Sequence, residues 1–261
     1  MMTRFEKWEG LGNDFVLLRD LQRDLDDAEV QRLCDRRFGV GADGVLLVET
    51  HGSVPRMIVR NADGSRPEMC GNGLRCVAGH LARGPDSSCK LTIATNAGDK
   101  VCDVRALDAG RFDVAVEMGP ALRGPELVVR IEGDEHRFHT LDLGNPHAVT
   151  FEPHDDGALE RIGAVVAVLP EGGTNVELCR AEPGRISVLV WERGVGRTLA
   201  CGTGACAVAA AACDTGRARF DEPVIVALPG GDLEITVASG TRAVRMRGPA
   251  RRVFTGEVVI A

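Results

Sequence analysis

Two cysteines stand in near-identical settings half a chain apart: Met69-Cys70-Gly71-Asn72-Gly73 and Ala200-Cys201-Gly202-Thr203-Gly204, each opening a run of small residues that reads as a helix. A cysteine just ahead of a helix lies near unpaired backbone N–H groups and the positive end of the helix dipole, which favours thiolate over thiol. The glycines that follow let backbone amides approach an anion closely. A carboxylate held by two such helix ends would have its α-carbon flanked by two sulfurs. One sulfur, as thiolate, removes the α-proton from one face while the other, as thiol, protonates the opposite face, and the result is inversion without a cofactor. Because the roles exchange with the direction of reaction, like residues must hold unlike protonation states, and tuning groups are expected close by.

The cysteines are 131 residues apart in a chain of 261, and other blocks repeat that offset. Gly41-Ala42-Asp43-Gly44-Val45 answers Gly172-Gly173-Thr174-Asn175-Val176 at 131, and Leu11-Gly12-Asn13 answers Leu143-Gly144-Asn145 at 132. Asn61 and Glu192 each lie nine residues before their cysteine. Four blocks in one order point to an internal duplication and two similar lobes. Gly119-Pro120, near the midpoint, is the expected boundary, because a Gly-Pro pair breaks a continuing element. The N-terminal lobe is assigned to residues 1–118, with a C-terminal strand at about 250–261 packing back on it, and the C-terminal lobe to residues 119–249.

The elements that must position the cysteines follow from periodicity. Asp24 to Phe38 has helical spacing, with Asp24, Asp26 and Asp27 as its capped, solvated start and Gly39 where it stops. Val45–Val48 and Met57–Val59 read as strands. The segment Gly73 to Ala82 reads as a helix ending at Gly84-Pro85, followed by strands at 90–94, 101–106 and 111–118. The second half repeats the order, with strands at 127–131 and 136–141, a short helix at Asp156–Val165, a strand at Ile186–Trp191, an alanine-rich helix at Thr203–Cys213, and a hairpin turned at Gly230-Gly231.

Composition excludes several classes of function. The net charge of −7 and 4% aromatic residues argue against a nucleic-acid surface. No run approaches the ~20 apolar residues of a spanning helix, so no membrane role is expected. The N-terminus has no apolar signal core, which points to the cytoplasm, where thiols are kept reduced. The nine cysteines include no Cys-x-x-Cys pair and no zinc-like spacing, so no metal is expected. Cys34, Cys76, Cys89, Cys102, Cys179, Cys206 and Cys213 read as small core residues. Lys7, Lys90 and Lys100 are the only lysines, and none has a pyridoxal-phosphate setting.

A set of segments along the whole chain resembles the diaminopimelate epimerase family: Gly10-Leu11-Gly12-Asn13-Asp14-Phe15, Asn61-Ala62-Asp63-Gly64-Ser65, Glu68 to Cys76, Gly144-Asn145-Pro146-His147, Gly173-Thr174-Asn175-Val176-Glu177, and Trp191 through Gly204. The resemblance implies a cofactor-independent enzyme that interconverts LL- and meso-diaminopimelate on the route to lysine and peptidoglycan. It implies an α/β (α+β) fold of two pseudo-symmetric lobes, each a mixed or antiparallel sheet wrapped around a central helix, with the active site in the cleft between them. Cys70 and Cys201 would be the acid/base pair, and the amides of Gly71, Asn72, Gly202 and Thr203 would hold the reacting carboxylate. Asn13, Asn61, Asn145, Asn175, Glu192 and Arg193 would line the rest of the pocket, with His147 and Glu192 adjusting the thiols. Arg193 is the natural partner of the distal carboxylate. Two positions depart from the family: Arg197 stands where Glu is common, and Gly44 where some members have Gln. Arg197 is expected to face solvent. The nearest alternatives are a two-thiol racemase of another amino acid such as proline or glutamate, the distal pocket being wasted on proline, and a thiol redox protein in which the two cysteines form a reversible disulfide. The sequence leaves the oligomeric state open, a homodimer included.

Overall fold

Alternating and continuous apolar runs make this a strand-rich chain, and its two halves solve the burial of those runs in the same way. The architecture is that of a computed structural model, which describes residues 2–82, 88–155 and 157–260. The chain divides into two units, Met1–Val116 with Gly248–Ala261, and Glu117–Arg247.

In the first unit, β1 (Met2–Gly10) and β2 (Asn13–Arg19) form a hairpin closed by Gly10 opposite Asn13. Its two loop residues, Leu11 and Gly12, both have positive φ (58° and 79°), the backbone twist a two-residue hairpin needs. β2 then runs parallel to β3 (Gly44–Glu49), after a connection carrying α1 (Asp27–Cys34). β3 is antiparallel to β4 (Arg56–Asn61), and α2 (Gly71–Leu81) follows. β5 (Ser88–Thr95) and β6 (Gly98–Asp108) form a second hairpin, and β7 (Arg111–Pro120) pairs with β6. α2 packs against β1, β2, β3, β4 and β6, and its residues from Gly71 to Gly79 are all buried. Gly79 allows the close approach, since a Cβ there would lie 3.0 Å from both Trp8 and Phe112.

The second unit repeats this order. β8 (Leu122–Arg123) and β9 (Leu127–Ile131) lead into β10 (Asp134–Asp142), which forms a hairpin with β11 (Pro146–Thr150). β11 is parallel to β12 (Asn175–Glu182) after a connection carrying a π-helical turn (Leu159–Gly163) and α3 (Ala164–Val166). β12 is antiparallel to β13 (Arg185–Glu192), with β14 (Gly196–Thr198) beside it. α4 (Gly202–Asp214) precedes the hairpin of β15 (Pro223–Leu228) and β16 (Gly231–Val237), and β15 is parallel to β13. β17 (Ala243–Val259) starts in this unit beside β16 and ends in the first unit beside β1. From Gly202 to Cys213 no side chain of α4 is larger than valine and every residue is buried. A helix apolar on all faces must be enclosed, and β10, β11, β12, β13, β15 and β16 enclose it. The register makes the duplication visible, because Val45 pairs with Arg60 and Val176 with Trp191, both members displaced by 131.

Several boundaries differ from the sequence reading. α1 is shorter than Asp24–Phe38: Asp26 caps it in a reciprocal capping box with Glu29, and the chain turns extended at Asp35 (φ −60°, ψ 123°). Gly39 is not its stop; it is needed because a Cβ there would fall 1.9 Å from the Arg32 carbonyl oxygen. Asp27 is the first residue of α1, and it and Asp24 also serve a buried arginine, Arg60. β7 ends at Gly119-Pro120, where a strand end tolerates a missing N–H. The second hairpin turns on Pro229 and Gly230, with Gly231 already paired to Leu228. The helix expected at Asp156–Val165 is the π-turn followed by α3. Asp156 itself, and the expected stop at Gly84-Pro85, lie outside the described residues.

Candidate active site

In each unit a cysteine supplies the N-cap of the buried central helix. Cys70 is extended (φ −135°, ψ 114°), and its sulfur accepts the Gly73 amide at 3.4 Å. Cys201 repeats the geometry (φ −122°, ψ 112°), with the Gly204 amide 3.3 Å from its sulfur. The cap carbonyls accept the next amides, from Leu74 at 2.8 Å and Ala205 at 3.0 Å. Gly71 with Asn72, and Gly202 with Thr203, therefore occupy the first two positions of each helix, where backbone amides point out of the helix end.

The first half-site is built on the β1–β2 turn. Asn13 leaves that turn so that its Oδ1 accepts from Asn72 Nδ2 (3.2 Å) and lies 3.9 Å from the Cys70 sulfur, while its Nδ2 donates to Asp43 (3.1 Å). Asn72 is held from behind by the buried Arg75, whose Nη2 donates to Asn72 Oδ1 at 3.0 Å and whose Nε donates to the Pro249 carbonyl at 3.1 Å. Behind Asn13, Arg36 bridges Asp14 and Asp43, and Lys7 pairs with Asp14. Burial pushes the Asp14 carboxyl up, but the hydrogen bonds from Arg36 and Lys7 outweigh it and hold the group below its ordinary range. Cys70, Asn13 and Asn72 thus form one cluster. Asn61 is engaged elsewhere, donating to Ser65 Oγ at 2.9 Å.

The second half-site is a chain of hydrogen bonds. Thr203 Oγ1 lies 3.5 Å from the Cys201 sulfur and accepts from Asn145 Nδ2 at 3.3 Å. Asn145 Oδ1 faces His147 Nε2 at 3.2 Å, and His147 Nδ1 faces Glu177 Oε1 at 2.7 Å. Asn175 is a connector: its Nδ2 donates to the Pro146 carbonyl (3.1 Å) and its Oδ1 accepts the Arg193 amide (3.0 Å). Glu192 accepts from Thr198 Oγ1 at 2.7 Å. The Arg193 side chain is exposed and donates to the Gly172 carbonyl at 2.6 Å.

The electrostatics of Cys201 depart from the expectation that a helix end favours thiolate. Burial pushes this thiol up, and the carboxylates of Glu192 and Glu177 push it further, outweighing the hydrogen bonds from Thr203 and the Gly204 amide. Burial outruns the dipole because the helix end contributes a partial charge, whereas the site places two full negative charges and little water beside the sulfur. Sequence reasoning named Glu192 but gave Glu177 no role. The signal was present in the 131-residue offset, which sets Glu177 opposite Leu46, a carboxylate where the first half has a hydrocarbon.

The two departures from the family pattern resolve locally. Arg197 is half exposed and pairs with Glu160 at 2.9 Å, a surface ion pair. Gly44 has a steric cause, since a Cβ there would lie 2.6 Å from the Arg60 carbonyl oxygen on the paired strand. Gly44→Ala is expected to cost about 1–3 kcal/mol of stability in denaturant melts, because backbone and not a side-chain end must give way; a melt unchanged from wild type would show that β4 yields freely.

A family model described as diaminopimelate epimerase matches residues 5–123 and 139–253. A diaminopimelate epimerase of Desulforudis audaxviator is 43% identical, covering 98% of this chain and 99% of its own. The one from Synechocystis is 39% identical with both chains covered in full. Among solved structures, a predicted epimerase of Pseudomonas aeruginosa superposes with a TM-score of 0.78 at 19% identity, covering 99% of this chain and 100% of that one. A probable proline racemase from Agrobacterium radiobacter gives 0.76 at 14%, covering 99% and 93%. Likeness at such identity speaks to fold: a sheet-dominated α+β architecture with duplicated halves.

Proposed function

The chain belongs to the diaminopimelate epimerase family, and from that premise we propose that it interconverts LL- and meso-diaminopimelate by a two-base thiol mechanism that needs no cofactor. Cys70 and Cys201 act on opposite faces of the α-carbon. In one direction a thiolate takes the α-proton, leaving the electron pair on the α-carbon and its carboxylate, and the thiol returns a proton to the other face. In the reverse direction the roles exchange. The amides of Gly71, Asn72, Gly202 and Thr203 hold the carboxylate on which charge develops, where oriented N–H dipoles cost no reorganisation at the moment of reaction. Asn13, Asn61, Asn145, Asn175, Glu192 and Arg193 bind the remainder of the substrate, and His147 and Glu192 tune the thiols.

The observation that carries this reading is the repetition of one device: a cysteine capping a buried helix, its sulfur bonded to the third helical amide, twice at the same offset. Arg193 supports the choice of a substrate with a second charged end, being exposed and placed by the Asn175 side chain. Among the described residues no helix is long and apolar enough to cross a membrane, in keeping with a cytoplasmic biosynthetic role.

The test is α-proton exchange in deuterated water under reducing conditions, with LL-diaminopimelate and separately with proline and glutamate. Deuterium incorporation with diaminopimelate alone, accompanied by the meso isomer, is the expected result. Exchange with proline or glutamate instead would move the specificity, and no exchange at all would bring the redox reading forward.

A further inference from the structure

The two half-sites repeat in backbone and in their asparagines, yet the side chains behind them are chemically opposed. At matching offsets the first half has Phe15 and Leu46, and the second has His147 and Glu177. All four are buried, and they occupy the same strands of the repeated topology: Phe15 lies opposite Gly44 on the parallel β2–β3 pair, and His147 opposite Asn175 on the parallel β11–β12 pair. The slots are also sterically equivalent. A Cβ on Gly73 would meet Leu46 Cδ2 at 2.8 Å, and one on Gly204 would meet Glu177 Oε1 at 2.6 Å. A hydrocarbon wall beside one helix end is thus replaced by an acid–imidazole pair beside the other.

That pair is costly to keep. Glu177 and His147 are both fully buried, and Glu177 Oε2 has no hydrogen-bond partner among the described residues. A buried carboxylate with an unsatisfied oxygen destabilises a core, so its presence calls for a task. The His147 ring has both nitrogens engaged, Nδ1 by Glu177 and Nε2 by Asn145, which fixes its plane and the Asn145 amide that reaches Thr203 beside the sulfur.

We propose that Glu177 is a positioning residue of the Cys201 half-site: its buried carboxylate fixes His147 and, through Asn145 and Thr203, the surroundings of the sulfur. The proposal deepens the two-base reading and rests on it. The charged groups bearing on Cys201 are Glu192 from β13 and Glu177 from β12, with His147 from β11 facing Glu177. Removing the Glu177 charge leaves one carboxylate in place of two beside the sulfur. The Cys201 thiolate then forms at lower pH, and the alkaline limb of the rate profile, where the acid thiol is lost, moves down with it.

The experiment compares wild type, Glu177→Gln, and the double variant His147→Phe/Glu177→Leu, which transplants the apolar pair of the first half and protects packing if the single variant folds poorly. The ultraviolet absorbance of thiolate is titrated for each protein and for its Cys201→Ala counterpart, and the difference isolates Cys201 without substrate. The expected result is a Cys201 titration displaced to lower pH in both variants. In turnover, kcat falls by about tenfold or more, KM changes little, and the alkaline limb moves down. A Cys201 titration and pH profile unchanged in both folded variants would overturn the proposal. Absence of wild-type epimerisation with a displaced titration would remove the reaction and leave the role of Glu177 standing, so the two failures are separable.

Discussion

Replacing either Cys70 or Cys201 with alanine is expected to lower epimerisation by at least about a thousandfold while leaving the circular dichroism and melting profile close to wild type. Each sulfur is assigned a full proton transfer, and loss of a positioned acid or base typically costs 10²–10⁴-fold. The fold should survive, because the sulfurs bond to groups of their own helix ends and to Asn13, and the caps keep their backbone bonds to Leu74 and Ala205. The two variants should also differ from each other. With only one sulfur left, each retains exchange of the α-proton on the face its remaining thiol can reach, so residual isotope exchange without inversion is the signature to measure by mass spectrometry and chiral chromatography. Retained inversion in either variant would sink the two-base mechanism.

The second large effect is on stability. Arg60 is fully buried on β4, and its guanidinium donates to the Leu25 carbonyl (2.6 Å), to Asp27 (2.5 Å) and to the Gly64 carbonyl (3.1 Å), with Asp24 at 3.5 Å. It ties the start of α1 and the 61–65 loop to the strand that carries Asn61. Arg60→Met keeps an apolar stem of similar length but strands two buried carbonyls and leaves Asp27 without its cation, while Asp24 keeps Arg66. Two buried carbonyls lose their donor at about 1–3 kcal/mol each, the exposed carboxylates add little, and the melting temperature should fall by roughly 10 °C. Arg60→Lys should recover only part of this, because an ammonium cannot span partners that a planar fork reaches at once. The observation that would reverse this view is a differential scanning calorimetry trace for Arg60→Met within ~0.5 kcal/mol of wild type.

These two expectations draw on different kinds of legibility. The cysteine motifs could be read because a helix cap is a local event: the cap, the glycines and the small-residue run lie within a dozen positions, and the offset repeats them. β9, β10 and β13 were equally readable, since alternation needs only neighbours, whereas β11 and β12 were not picked out. Arg60 was not, because nothing in Arg56–Asn61 distinguishes a buried arginine from an exposed one; its partners come from Leu25, Asp27 and Gly64, and only the β3–β4 pairing brings the strand under α1. Gly39 and Gly44 were misread or left as departures for the same reason, as the atoms that exclude a Cβ belong to Arg32 and to Arg60.

By itself the sequence determined the pair of capping cysteines, the duplication that relates them, the α+β class and the family, since all of these reside in residue type and spacing along one dimension. Only the tertiary structure decided that the two helix ends have unlike surroundings. That difference depends on which side chains reach the helix ends across a sheet: the parallel registers of Phe15 with Gly44 and His147 with Asn175, and the burial that places Leu46 beside one helix end and Glu177 beside the other. Charge acts on a sulfur through space and is strengthened by the exclusion of water, and both are set by packing between segments about thirty residues apart or more.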